Sequence, residues 1–227
     1  MSANTPADLE RIYEKRFSAN LEYRDAVWKV LIADFFQPMI QPEHRVLDLG
    51  CGYGEFIRNV QSAERFAMDL NANARKHLCP GVTFLEHDCS TRWPLPDESL
   101  DVIFTSNFFE HLPDKATLGR CLDEAYRCLA PGGRLIALGP NIKYLPGEYW
   151  DFWDHYVALT EKSLAEALST RGYRLDRVID RFLPYTMSDG WQPPLFFLRT
   201  YLRLSPAWKF FGKQFLVIAE RPAAAVR

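Results

Sequence analysis

Three glycines, Gly50, Gly52 and Gly54, follow an apolar run that carries one acid, Val46-Leu47-Asp48-Leu49. Glycine is needed where the backbone takes positive φ or where a ligand must touch the main chain. A strand that stops at such a loop and opens a helix can hold a nucleotide-like ligand at a sheet edge. Asp69 falls 19 residues beyond Gly50, where a carboxylate can accept both hydroxyls of a ribose. His111 and His155 are side chains able to take a proton near neutral pH, and Asp151 and Asp154 stand close enough before His155 to fix its tautomer. Cys51 and Cys89 read as small loop residues rather than nucleophiles.

These residues need a scaffold, and the hydrophobic spacing supplies one. Asp8 to Phe36 has helical periodicity through Leu9, Ile12, Tyr13, Val27, Trp28, Leu31 and Phe35, divided near Ser18-Ala19-Asn20 and stopped by Pro38 and Pro42. Strands are expected at Arg45–Leu49, Arg65–Asn71, Val82–Asp88, Leu100–Ser106 and Arg134–Leu138. Helices are expected at Phe56–Gln61, Ala72–Leu78 and Lys115–Leu129. Strands that alternate with helices at this spacing imply a parallel sheet with helices on both faces. The candidate site residues all fall just beyond strand carboxyl ends, where ligands bind in such sheets.

After Gly139 the texture changes to a loop dense in aromatics and acids, Pro140 to His155. Thr160 then caps a helix that runs to Thr170 and stops at Gly172. Tyr173–Phe182 and Gln214–Glu220 read as strands that flank an aromatic insertion, Pro184–Gly212, with an amphipathic helix at Leu195–Leu204. With no ordinary crossover helix between them, these two strands suggest an antiparallel closing pair.

Composition narrows the function classes. The chain has 227 residues with 48% hydrophobic and 25% charged content, as in ordinary globular proteins. A formal net charge of −2 gives no basic footprint for nucleic acid. Five cysteines without CxxC pairs or zinc-ligand spacing suit a reducing, cytoplasmic setting and argue against a structural metal. The polar, acidic first ten residues lack the apolar core of a secretion signal. Nothing is long and apolar enough to span a bilayer.

Taken together, the motifs resemble class I S-adenosylmethionine-dependent methyltransferases. Val46 to Gly54 is similar to that family's glycine-rich first motif, and Leu129-Ala130-Pro131-Gly132-Gly133-Arg134-Leu135 to its turn into strand five. The resemblance implies a Rossmann-like, doubly wound α/β sheet of seven strands with the last antiparallel. It also implies S-adenosyl-L-methionine as cofactor. Asp69, with Leu70 beside it, matches the position that binds the ribose hydroxyls, and Asp88 the acid near the adenine amino group, with Cys89 beside the ring. Asn107-Phe108-Phe109-Glu110-His111-Leu112 looks like the segment lining the transfer site. Asp48 would order the glycine loop, formed by Gly50, Cys51, Gly52 and Gly54. In the N-terminal helices, Tyr23 and Arg24 are candidates to fold over the cofactor, an arginine pairing with its carboxylate.

A methyl group on positive sulfur is already activated, so the enzyme must align the reactants and relieve an alcohol acceptor of its proton. His155 is the first candidate base, then His111, with Asp151 and Tyr149 also in view. The expected organisation is one domain over 1–227. It comprises a helical cap at 1–42, a cofactor-binding core at 43–138, and an acceptor-binding half at 139–227 whose 184–212 insertion forms a lid. The segment Tyr149 to His155 and the ending Gly212-Lys213-Gln214-Phe215 look like a bacterial subgroup that modifies polysaccharides and small molecules. The expected reaction is direct methyl transfer to an oxygen of a small, sugar-like acceptor by a monomer or homodimer, with peripheral membrane contact open. Transfer to nitrogen or lipid, a nicotinamide-dependent oxidoreductase and a non-catalytic cofactor-binding module remain alternatives.

Overall fold

A computed structural model describes residues 21–185 and 192–223. The expected helical positions Leu9, Ile12, Tyr13 and the break at Ser18–Asn20 lie outside them. Seven strands form one sheet in the order β3-β2-β1-β4-β5-β7-β6. In chain order they are β1 Arg45–Leu49, β2 Glu64–Asp69, β3 Val82–Glu86, β4 Leu100–Ser106, β5 Leu129–Pro140, β6 Arg174–Ile179 and β7 Gln214–Glu220. The first five pair parallel with one another, and β7 runs antiparallel between β5 and β6. The helices are α1 Leu21–Leu31, α2 Glu55–Asn59, α3 Lys115–Cys128, α4 Glu161–Ser169, α5 Leu195–Arg203 and α6 Ser205–Phe211.

Side chains alternate across each strand, so neighbouring residues feed opposite cores. Leu47, Ile103, Leu135, Ala137 and Val217 face the core covered by α3 and α4, with Leu118, Leu122, Leu164 and Leu168. Val46, Phe104, Ile136, Leu138 and Leu216 face the other, covered by α1 and α5 with Val27, Leu31 and Leu202. Burial on both faces is why the strands read as nearly continuous apolar runs. Phe36 anchors the second core, its ring edge-on to Phe104 at 5.1 Å and to Phe56 at 6.4 Å.

The register brings the strand ends to one rim. Leu49 pairs with Met68, Asp69 with Glu86, and Ser106 with Leu138. The glycine loop, Asp69, Asp88 and Asn107 therefore follow adjacent strand ends.

Several expectations need correction. The helix expected to run on to Phe36 changes to a π turn at Ile32–Phe36, and Pro38 sits inside a 3₁₀ turn rather than ending the helix. The short helix expected at Ala72–Leu78 is a 3₁₀ helix over Ala72–His77, started by the Asn71 side chain, which accepts from Asn73 N–H. A second helix, α6, follows α5 in the insertion, with Pro206 in its first turn. The Thr160 cap holds as read, its hydroxyl and that of Ser163 forming a reciprocal capping box.

The insertion docks its helices on α1 and the π turn. Arg199 pairs with Asp34 at 3.1 Å, the Tyr201 hydroxyl donates to the Phe182 carbonyl, and Trp208 meets Phe35 and Phe182 edge-on. Among the described residues no helix is long and apolar enough to cross a membrane.

Candidate active site

Gly50, Gly52 and Gly54 all take positive φ, at 69°, 53° and 71°, so the loop can turn at once out of β1 and start α2. Gly50 and Cys51 donate their N–H groups to the Met68 carbonyl, tying the loop to β2. A Cβ on Gly50 would stand 2.3 Å from the Phe108 ring, which closes the loop against the segment after β4.

Asp69 is 6% exposed, and its two oxygens have different partners. Oδ2 accepts from Gly52 N–H and Oδ1 from Asn71 N–H, both at 2.9 Å. The acid expected to hold a ribose is thus fixed to the glycine loop. Asp48 is buried and accepts from the Ile57 backbone in α2; burial, then the nearby Glu55, pushes its pKa well up. That places it under the loop as an ordering group. Burial, then Asp69, likewise raises the Cys51 thiol far above its usual value.

Leu70 is an exposed apolar side chain directly after Asp69. Asp88 is exposed beyond β3, with Oδ1 accepting from Ser90 N–H at 2.8 Å, and the buried Cys89 gives its carbonyl to the Trp93 indole. Asn107 sits in the left-handed region at φ 49°, its N–H on the Leu138 carbonyl. Arg24 forms a 2.6 Å ion pair with Glu55 beside the glycine loop, while the Tyr23 hydroxyl donates to the Pro193 carbonyl. The structure therefore brings Arg24 to the loop but turns the hydroxyl of Tyr23 to the insertion.

A second group of polar side chains lies where β4 meets the aromatic loop. Phe109–His111 forms a 3₁₀ turn, and the Glu110 carbonyl accepts from Tyr156 and Val157 N–H at 2.8 and 3.1 Å. Those two bonds fasten the aromatic loop across the end of β4. They place His111 Nδ1 at 3.1 Å from the Asp154 carboxylate and 3.0 Å from its carbonyl. With Nδ1 donating, Nε2 is turned toward Glu110, whose Oε1 lies 4.0 Å away. Partial burial works against charge on His111, but the Asp154 carboxylate and then Glu110 outweigh it and raise its pKa.

His155 is 6% exposed. It stacks on Phe152 at 4.8 Å and meets the rings of Tyr149 and His111 edge-on, each at 4.9 Å.

The four catalytic candidates separate here. His111 and His155 come together. Tyr149 supplies a ring to that cluster, but its hydroxyl is wholly buried and donates to the Val157 carbonyl. Burial, then Glu110, raises its pKa far beyond the ordinary phenol value, which disqualifies it as a base near neutrality. Asp151 lies exposed at the end of a 3₁₀ turn, Glu148–Asp151. Of the two carboxylates expected to fix the His155 tautomer, Asp151 lies exposed and Asp154 lies against His111. Sequence reasoning named Glu110 only within the Asn107–Leu112 segment and Asp154 only as a partner of His155; both are buried, at 2% and 3% exposure. Each directly precedes a candidate histidine, and that adjacency was the available signal. Trp150 and Trp153 stand exposed on the same loop, Trp153 at 84%.

A sequence profile described as a methyltransferase domain matches residues 47–137, from β1 into β5. The chain is similar to malonyl-[acyl-carrier protein] O-methyltransferase of Methylococcus capsulatus, 34% identical over 65% of this chain and 59% of that protein. It is also similar to phosphoethanolamine N-methyltransferase 1 of Arabidopsis thaliana, 32% identical over 45% of this chain and 22% of that protein. The chain thus spans well under two thirds of these curated relatives. Among solved structures, a chain from the complex of the Haloferax volcanii Trm112 methyltransferase activator with a methyltransferase superposes with TM-score 0.70. It shares 18% identity and covers 99% of this chain and 100% of its own length, a likeness of fold.

Proposed function

We propose an activity for a chain that belongs to the class I S-adenosylmethionine-dependent methyltransferases: transfer of a methyl group to an oxygen of a small, sugar-like acceptor. S-adenosyl-L-methionine is its cofactor, and the residues present fit that molecule. Asp69 is an acceptor-only group fastened to the glycine loop, as a ribose diol requires. Leu70 offers apolar surface beside it, Asp88 an exposed carboxylate for an exocyclic amine, and Arg24 a cation near the loop. When bound, the cofactor supplies a methyl group activated by positive sulfur.

What remains for the protein is alignment and proton handling. The observation that carries the oxygen reading is the cluster just past β4 of buried Glu110, Asp154 and His155 with half-buried His111. A nitrogen acceptor with a free lone pair has no proton to lose before it attacks, whereas an alcohol does. Asp154 orients His111, and Phe152 and Tyr149 wall His155 on two sides and limit water. The exposed rings of Trp150 and Trp153 supply flat apolar surface for the C–H face of a sugar. Tyr185, at the start of the insertion, meets Phe152 at 5.9 Å and supports a covering role for that segment. All five cysteines are free thiols, which supports action in the reducing cytoplasm.

The test uses methyl-labelled S-adenosylmethionine with panels of nucleotide sugars, glycans, amines and lipid extracts. Label is expected in an ether linkage to a hydroxyl compound, and His155→Ala and His111→Ala should each lower its rate. Label found only on nitrogen, carbon or lipid headgroups would overturn the oxygen and sugar assignment.

A further inference from the structure

We propose that Glu110, His111 and His155 form a binding site for one divalent first-row transition cation. Each offers one donor atom, and these atoms all lie within 4.8 Å of one another. Ligand bonds to such ions run about 2.0–2.2 Å, so two donors on opposite sides of one ion stand up to about 4.4 Å apart. The His111 Nε2 to Glu110 Oε1 separation of 4.0 Å already falls within that reach. Donors of a four-coordinate ion stand about 3.4 Å apart, so side-chain rotations that move the donor atoms by about 1 Å close the set.

Three further observations favour a cation over a chance cluster. The donors are two imidazoles and one carboxylate, the mixture suited to ions from iron to zinc rather than to magnesium or calcium, which prefer oxygen. His111 gives its Nδ1 side to the Asp154 carboxylate at 3.1 Å, leaving Nε2 as the ligand atom. An outer carboxylate that fixes the tautomer and aim of a histidine is the usual support of a metal-bound imidazole. Finally, two buried acids, Glu110 and Asp154, flank His111, an anionic setting that favours a divalent cation.

Spacing rules for zinc miss such a site. Glu110 and His111 are adjacent, and His155 comes from another segment, brought in by the bonds from Tyr156 and Val157 to the Glu110 carbonyl. Three protein ligands leave coordination positions open. On the oxygen-acceptor reading, on which this role rests, an acceptor hydroxyl takes one of them. Coordination then lowers its pKa, as it does for bound water, and the proton leaves to solvent, because His111 and His155 as ligands no longer serve as the base.

The experiment uses the full chain, stripped with chelator and titrated with Co²⁺. One equivalent is expected by calorimetry, with visible absorption bands of a low-symmetry Co²⁺ centre. Glu110→Gln and His155→Gln should each weaken Co²⁺ binding at least tenfold. Asp154→Asn, in the outer position, should weaken it by about ten- to a hundredfold. S-adenosylmethionine affinity, measured on the same samples, reports whether each variant is folded. A measurement on the unaltered protein stands behind the variants: substoichiometric Mn²⁺ should broaden the ring resonances of His111 and His155 before those of other histidines. Absent Co²⁺ binding, or binding indifferent to Glu110→Gln and His155→Gln, overturns the site. Full-rate methylation of an alcohol by chelator-stripped protein overturns its role and leaves the oxygen-acceptor reading intact. Tight Co²⁺ binding with no alcohol methylated overturns the oxygen-acceptor reading and leaves the site itself standing.

Discussion

Replacing Asp69 with asparagine separates a ribose-binding acid from a solvated strand-end acid. The two backbone donors on this carboxylate sit on different oxygens, Gly52 N–H on Oδ2 and Asn71 N–H on Oδ1. An amide has one acceptor oxygen, so either flip of the substituted side chain would put an NH₂ against a backbone N–H. The flip that usually rescues such substitutions is unavailable. Leaving one buried donor unsatisfied costs about 1–3 kcal/mol, or several degrees of melting temperature in a chain of this size. Cofactor binding suffers separately. The amide forfeits one charge-assisted acceptor for the ribose hydroxyls, worth about 1.5–3 kcal/mol, which is on the order of ten- to a hundredfold in Kd. Titration calorimetry with S-adenosylmethionine, run well below the melting temperature of the variant, measures the second loss without the first. A Kd within twofold of wild type in a folded Asp69→Asn protein would refute the assignment of this acid to the cofactor.

Gly50→Ala should abolish cofactor binding, because alanine at φ 69° is strained by about 1–2 kcal/mol and its Cβ meets the Phe108 ring at 2.3 Å. Adding Phe108→Ala should restore part of the folded stability, seen by thermal unfolding, whereas no recovery would mean the ring is not the obstacle. Tyr149→Phe removes a buried hydroxyl from the Val157 carbonyl and should cost about 1–2 kcal/mol in a denaturant titration while methyl transfer is largely retained. A collapse in turnover at undiminished stability would restore Tyr149 as a base.

Acid unfolding should report the Arg45–Asp101 pair that joins β1 to β4. The Arg45 side-chain bond, then its backbone N–H, holds the Asp101 pKa below the usual carboxylate value despite partial burial. A depressed acid contributes stability above its unfolded pKa and loses it as pH falls through the folded one. The wild type should therefore lose stability below about pH 4 more steeply than Asp101→Asn, and parallel acid limbs would count against the pair.

What could be read from the chain and what could not divide along the range of the interactions involved. The glycine loop was legible because its cause is local: three positive-φ positions in five residues, an apolar strand before and a helix after. Asp69 was legible because a βα unit of ordinary length carries it to a fixed place beside that loop. The Thr160 cap, likewise, is settled within four residues. Local signals were misweighted at Ala72–His77, where the Asn71 side chain bonds its own backbone and favours a tight turn over an α-helix. Ser205-Pro206 was a start signal for α6 that the aromatic density around it obscured.

The acceptor side failed for another reason. His111 meets Asp154 across 43 residues only because the Glu110 carbonyl captures two backbone N–H groups of the aromatic loop. A backbone bond of that kind leaves no residue-type signature, so the sequence could name both histidines but not which carboxylate would serve which ring. That pairing decides the chemistry. With Asp154 on His155, His111 would be a bystander. With Asp154 on His111, Nε2 of His111 turns toward Glu110, and its ring meets that of His155 at 4.9 Å.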